Sequence, residues 1–109
     1  MKLSERQQIF SKNVSRLIAY IFFSGYGCTL GEAWRTSEQA NWYAEHGVGI
    51  KESLHCKRLA IDLNLFFGGE YLPTTESHAM FGEYWESLHP ANRWGGRFMD
   101  GNHYEMQEK

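Results

Sequence analysis

Residues 58–66, RLAIDLNLF, set the tightest limit on what this chain can fold into. Leucine or isoleucine stands at 59, 61, 63 and 65, and Ala60, Asp62 and Asn64 alternate with them. Successive side chains of an extended strand point to opposite faces. One face of this strand is therefore apolar and belongs against a core. The other carries Asp62 and Asn64 and reads as the floor of a polar cleft. A sheet packed on one side only needs helices to cover that side. Phe10, Val14, Leu17, Ile18, Ile21 and Phe22 recur at helical spacing and supply one. That helix is expected over residues 4–24, with Ser4 and Gln7 as a capping box and Gly25 as its stop.

The remaining elements follow from local signals. Tyr26 to Leu30 alternates large and small residues and reads as a strand. Thr36 and Gln39 form a second capping box, opening a helix over 37–46 whose last residue, His46, complements the helix dipole. Gly47 and Gly49 mark a loop, and Gly68-Gly69 a turn. Pro73-Thr74-Thr75 opens another helix that ends near Leu88, before Pro90, with Met80, Phe81, Tyr84, Trp85 and Leu88 on its apolar side. Asp100-Gly101-Asn102-His103 fits a turn between short strands, and the tail MQEK is expected to fray. The expected fold class is α+β: one domain over residues 1–109, helices packed on an antiparallel sheet, with no second domain.

Composition narrows the function. A chain of 109 residues is the size of one domain. Hydrophobic content of 42% and aromatic content of 16% favour a folded globule over disorder. The formal net charge of -2 lacks the electrostatic footprint of a nucleic-acid binder. Cys28 and Cys56 form no CxxC and imply neither a disulfide framework nor a zinc ribbon; they read as reduced, half-buried thiols. The longest apolar run, Leu17 to Phe23, is too short to span a bilayer and follows a largely polar stretch, so neither membrane insertion nor an export signal is expected. Synthesis in the cytoplasm follows as an expectation.

Chemistry-bearing residues gather in two stretches, SLHCKRLAIDLNLF (53–66) and WGGRFMDGNHYE (94–105). His55, Asp62 and His103 are residue types that can share a zinc ion. Two histidines and one carboxylate leave a fourth position open for water, which distinguishes a catalytic zinc site from a closed structural one. Asp100 is placed to take a proton from that water. The seven-residue separation of His55 and Asp62 is odd, so one unbroken strand would point them to opposite faces. A bend near Cys56-Lys57 is required. Asp100 and His103 likewise meet only across a turn.

Each of these residues also has a plainer reading. Asp62 could pair with Arg58 or Arg97. Asp100 could be a turn former, the usual role of Asp before Gly. Arg35 and Arg97 could be solvated charges, and Ser53 a local cap. His78 and His89, in or after the third helix, read as surface residues.

SLHCKRLAIDLNLF resembles the SxHxxGxAxD motif of the zinc D-Ala-D-Ala carboxypeptidase and L-alanyl-D-glutamate endopeptidase family. Ser53, His55, Ala60 and Asp62 match it, and Arg58 stands where the motif has glycine. The closing WGGRFMDGNH is similar to that of small phage and prophage lytic peptidases. The resemblance implies a small hedgehog/D-Ala-D-Ala-peptidase-like domain. It implies His55, Asp62 and His103 as ligands of one Zn²⁺, and Asp100 as the catalytic acid-base. EAWRT resembles the family's SGYRS-like segment, which gives Arg35 the binding of substrate or of the transition-state oxyanion; Ser53 is implied to contact substrate. The implied activity is hydrolysis of a peptide bond in peptidoglycan stem peptides, L-Ala–D-Glu or D-Ala–D-Ala, by a monomeric phage-type lytic enzyme that reaches the wall with a separate holin-type protein. An inactive, zinc-bearing wall-binding or phage structural module is the alternative. The short end after His103, YEMQEK, departs from longer relatives and is expected to loosen that edge of the cleft.

Overall fold

In the computed structural model, residues 1–47 and 53–108 are described; the expected loop position Gly49 lies outside them. Helix α1 covers Leu3–Phe23. It begins two residues ahead of the expected box, so Ser4 already lies inside the helix. Glu5 instead accepts from the Lys2 backbone N–H at 2.8 Å. The stop at Gly25 is as expected. Gly25 takes a φ of +86°, its N–H donates to the Phe22 carbonyl, and the Tyr26 N–H donates to the Ile21 carbonyl. This is a Schellman closure, which needs a residue without a Cβ penalty in the left-handed region.

Strand β1 is Gly27–Leu30 and helix α2 is Ser37–Glu45. Thr36 caps α2, its hydroxyl accepting from the Gln39 N–H at 3.0 Å. Strand β2, Ala60–Phe67, turns through Gly68 and Gly69 into β3, Glu70–Leu72. Both glycines have positive φ, as a two-residue hairpin of type I′ requires. A 3₁₀ turn at Glu76–His78 leads into α3, Ala79–Ser87. Strand β4 is Asn92–Trp94 and β5 is His103–Met106, separated by a 3₁₀ turn over Gly95–Phe98 and the Asp100–His103 turn.

The strands form one antiparallel sheet in the order β1-β2-β5-β4, with β3 also paired to β2. The two ends of β2 have different neighbours. Leu63–Phe66 pairs with β1, and Ala60–Asp62 pairs with β5. Leu59, Ile61, Leu63 and Leu65 are buried, together with Phe10, Leu17 and Ile21 from α1, Phe81 and Trp85 from α3, and Tyr104 and Met106 from β5. Helices α1 and α3 thus cover one face, and the opposite face carries Asp62 and Asn64, as the alternation predicts. No helix among the described residues is long and apolar enough to cross a membrane.

Four expectations need correction. The end of the chain is not frayed at Met106, which is fully buried and donates its N–H to the Leu59 carbonyl, while Gln107 bonds the Ala91 carbonyl. That edge is held, not loosened. His78 is not a surface residue: it is buried, with Nδ1 2.7 Å from the Tyr104 hydroxyl. His89 is half-covered, its Nδ1 accepting from the Ala91 N–H.

Candidate metal centre

The bend that His55 and Asp62 require is present. Ser53 caps a 3₁₀ turn over Leu54–Lys57, its hydroxyl accepting from the His55 N–H at 3.2 Å. Arg58 ends the turn in the left-handed region, φ 56° and ψ 37°, and β2 starts two residues later. This conformation accounts for the glycine that the peptidase motif carries at the position of Arg58. Here the strained residue lays its guanidinium over the Trp34 ring, 4.7 Å from the centroid. His55 is thereby turned onto the same side of the sheet as Asp62.

The third residue arrives across the sheet. Asp62 and His103 are register partners of β2 and β5. The Asp62 backbone bonds the other way, its N–H to the Glu32 carbonyl and its carbonyl to the Gly31 N–H. Asp62 and His103 therefore form a non-hydrogen-bonded pair, in which facing side chains come closest. His55 Nε2 and His103 Nδ1 each lie 3.3 Å from Asp62 Oδ1. One ligand atom from each of the three residues falls within 4.8 Å of the others. Both imidazoles are buried, and the Asp62 side chain is 24% exposed, so the group opens to one side.

Glycines make the approach of the last stretch possible. A Cβ at Gly95 would stand 2.1 Å from the Asp100 carbonyl oxygen and 2.7 Å from His103 Cβ. The Asp100–His103 turn is clamped in place. The Asp100 N–H donates to the Gly95 carbonyl, Trp94 Nε1 donates to the Gly101 carbonyl at 2.7 Å, and the Gly101 N–H donates to Thr75 Oγ1 at 3.2 Å. The turn itself closes through the His103 N–H and the Asp100 carbonyl, so Asp100 is a turn former as well. Its carboxylate projects toward the open side, 52% exposed, with Oδ2 3.9 Å from His103 Nδ1.

Two carboxylates that the sequence reading passed over stand behind the histidines. Glu105 Oε1 lies 2.8 Å from His103 Nε2. Glu32 Oε1 lies 3.7 Å from His55 Nδ1, which is buried and has no hydrogen-bond partner among the described residues. Each carboxylate is held by an arginine: Glu105 by Arg93, and Glu32 by Arg35. The signal for Glu105 was available, because His103 and Glu105 are two apart in a strand and share a face. Arg35 is largely buried, lies over the Tyr43 ring at 4.8 Å, and donates its backbone N–H to the His55 carbonyl. It is not a solvated surface charge. Asp62 pairs with neither Arg58 nor Arg97; Arg97 forms a surface pair with Glu86.

The electrostatics favour a cation at this point. Burial works against the charge on Asp62, but hydrogen bonds from His103 and His55 outweigh it and hold the carboxyl at about 2. Burial likewise opposes charge on His103, but Asp62 and Glu105 prevail and lift it to about 9. A proton on His103 thus occupies the place where a metal ion would bring positive charge. Burial pushes the Asp100 carboxyl up, with His103 pulling the other way and Asp62 adding to the rise. The donor set of two imidazole nitrogens and one carboxylate oxygen suits zinc, and the carboxylates behind the rings are the partners that metal-bound histidines usually have. The residues present fit a zinc ion.

The molecule is thus a small α+β domain that carries a His/Asp/His cation site on the open face of its sheet. No protein-family model matches the sequence, and no curated protein matches it significantly. Solved structures share the fold. One is Serratia marcescens L-Ala D-Glu endopeptidase ChiX, with a TM-score of 0.72 at 16% identity over 95% of this chain and 85% of that one. Another is the vancomycin-resistance D,D-pentapeptidase VanY from a VanB-type resistance cassette, solved in complex with Zn(II). It gives a TM-score of 0.61 at 16% identity over 89% of this chain and 70% of that one.

Proposed function

We propose that this chain is a zinc-dependent peptidase that hydrolyses a peptide bond in the stem peptides of peptidoglycan. The observation that carries this reading is the meeting of His55, Asp62 and His103 from three separate segments, with one side open and Asp100 at its rim. The shared fold supports it, since the two similar structures are described as an L-Ala D-Glu endopeptidase and a zinc-bound D,D-pentapeptidase. The match of Ser53, His55, Ala60 and Asp62 to the peptidase motif supports it independently.

His55, Asp62 and His103 would hold the zinc ion, which would supply Lewis-acid polarisation and make water at the site more acidic. Asp100 takes a proton from the attacking water and returns it to the leaving amine. Its raised carboxyl suits a group that must hold a proton between these two events. Arg35 stabilises negative charge on the scissile carbonyl oxygen. Its pairing with Glu32 sets the direction of the guanidinium before substrate arrives. Ser53 fixes the turn that bears His55, and its hydroxyl is the group that would contact substrate beside the metal. The L-Ala–D-Glu bond is the first candidate, with D-Ala–D-Ala the second. A phage or prophage lytic role, reaching the wall with a holin-type partner, extends the same reading.

Digestion of purified peptidoglycan, followed by mass spectrometry of the fragments, tests it. New stem-peptide termini should appear, vanish with a chelator, and fall by at least about 100-fold in Asp100→Asn, which still binds zinc. Unaltered peptidoglycan, or full activity in Asp100→Asn, contradicts the reading.

A further inference from the structure

We propose that Glu105, held by Arg93, is a positioning residue that decides which ring nitrogen of His103 faces the metal. The inference rests on the zinc site proposed above and goes beyond it to a residue outside the ligand set.

His103 has two nitrogens and the site uses one of them. Nδ1 is turned to Asp62 Oδ1 at 3.3 Å, and Nε2 to Glu105 Oε1 at 2.8 Å. An ionised carboxylate only accepts, so the hydrogen of the neutral ring resides on Nε2. The lone pair on Nδ1 then lies beside Asp62 Oδ1, where a shared cation would sit between the two acceptors. A protonated Nδ1 with a bare Nε2 would place two acceptors against each other and leave no ligand atom at the site.

Glu105 is built for this task. It is 4% exposed, and a buried carboxylate is costly unless it is paired and hydrogen-bonded. Its second oxygen, Oε2, receives both Nε and a terminal nitrogen of Arg93, each at 3.0 Å. Arg93 on Oε2 and His103 on Oε1 thus engage both oxygens and hold the carboxylate in place. The sheet enforces the alignment. Arg93 and Glu105 are register partners across β4 and β5, and His103 and Glu105 share a face of β5. Glu105 is also the register partner of Ala60 on β2, where the small side chain leaves room for the carboxylate. Arg93 reaches the imidazole by a second route. Its guanidinium lies 4.7 Å from the Phe98 ring, which meets His103 edge-on at 5.8 Å. Glu105 therefore fixes the tautomer, and the Arg93–Phe98 stack limits the tilt of the ring.

Two measurements test the proposal. Long-range ¹H–¹⁵N spectra of the zinc-loaded wild-type chain should show His103 Nδ1 bound to metal and Nε2 protonated. Zinc affinity by competition with a chromogenic chelator should fall roughly 10–100-fold in Glu105→Leu. Glu105→Gln, whose amide oxygen accepts the same hydrogen bond, should recover most of that loss. Nε2 coordination in the wild type, or a Glu105→Leu affinity within twofold of wild type, overturns the proposal while leaving the peptidase reading intact. Should Glu105→Leu fail to fold, the wild-type spectrum decides alone. A wild-type chain that binds no zinc overturns both.

Discussion

Asp62 and His103 face one another across β2 and β5 as a pair whose backbones do not bond to each other, with Oδ1 and Nδ1 3.3 Å apart. The Asp62 backbone is committed instead to Gly31 and Glu32. One residue thus joins β5, which brings His103, to the segment that brings Glu32 and Arg35. The site is a product of sheet register, and small backbone shifts near it should have large chemical effects.

Gly95→Ala tests that sensitivity. The added Cβ would fall 2.1 Å from the Asp100 carbonyl oxygen, so the turn bearing Asp100 and His103 must move. We expect a stability loss of about 1–3 kcal/mol, the usual range for overpacking. Peptidase activity should fall on the order of 100-fold, because a displacement near 1 Å is enough to misplace a catalytic group. Urea unfolding and peptidoglycan digestion measure the two effects; unchanged values in both would mean that the close approach is not needed.

Met99→Gly should act in the opposite direction. Met99 has a φ of +64° and is 84% exposed, so it bears left-handed strain with little packing to lose. Relief of that strain, less the extra freedom of glycine in the unfolded chain, should stabilise the fold by about 0.5–1 kcal/mol. A shift of the urea midpoint to higher concentration with an unchanged slope is the expected result.

His78 should shape the acid limb of stability. Burial pulls its pKa down from 6.5 to about 4. Above pH 6.5 the ring is neutral in both the folded and unfolded chains, and the full contribution is present. As pH falls from 6.5 toward 4, the unfolded chain gains a proton that the folded chain cannot take, and stability is lost, on the order of 3 kcal/mol. His78→Gln, which keeps a partner for the Tyr104 hydroxyl, should flatten the curve over that window in pH-dependent urea unfolding. A curve parallel to wild type would remove His78 from the acid response.

Much of this architecture was legible because long signals are hard to mimic. The alternation over 59–65 located β2 and its two faces, and the spacing from Phe10 to Phe22 located α1. The odd His55–Asp62 separation demanded a bend, which the structure supplies as a 3₁₀ turn closed by Arg58. Shorter features were less readable. Strands β3 and β4 have three residues each, too few for alternation to register. The burial of His78 depends on Tyr104, a residue distant in sequence, and helical position alone does not reveal it. Glu105 carried a signal, its two-residue spacing from His103, but its burial is set by distant strands. The end of the chain looks polar and loose until β2 and β4 close on both sides of it.

Zinc content is the most direct test of the central claim that His55, Asp62 and His103 grip one cation. Equilibrium dialysis against zinc, with elemental analysis of the folded protein, should give one zinc per wild-type chain. His55→Ala, Asp62→Ala and His103→Ala should each retain less than about a tenth of it at the same free zinc, with circular dichroism confirming that the fold survives. A wild-type chain free of zinc, or three variants that hold it as well as wild type, would contradict the account.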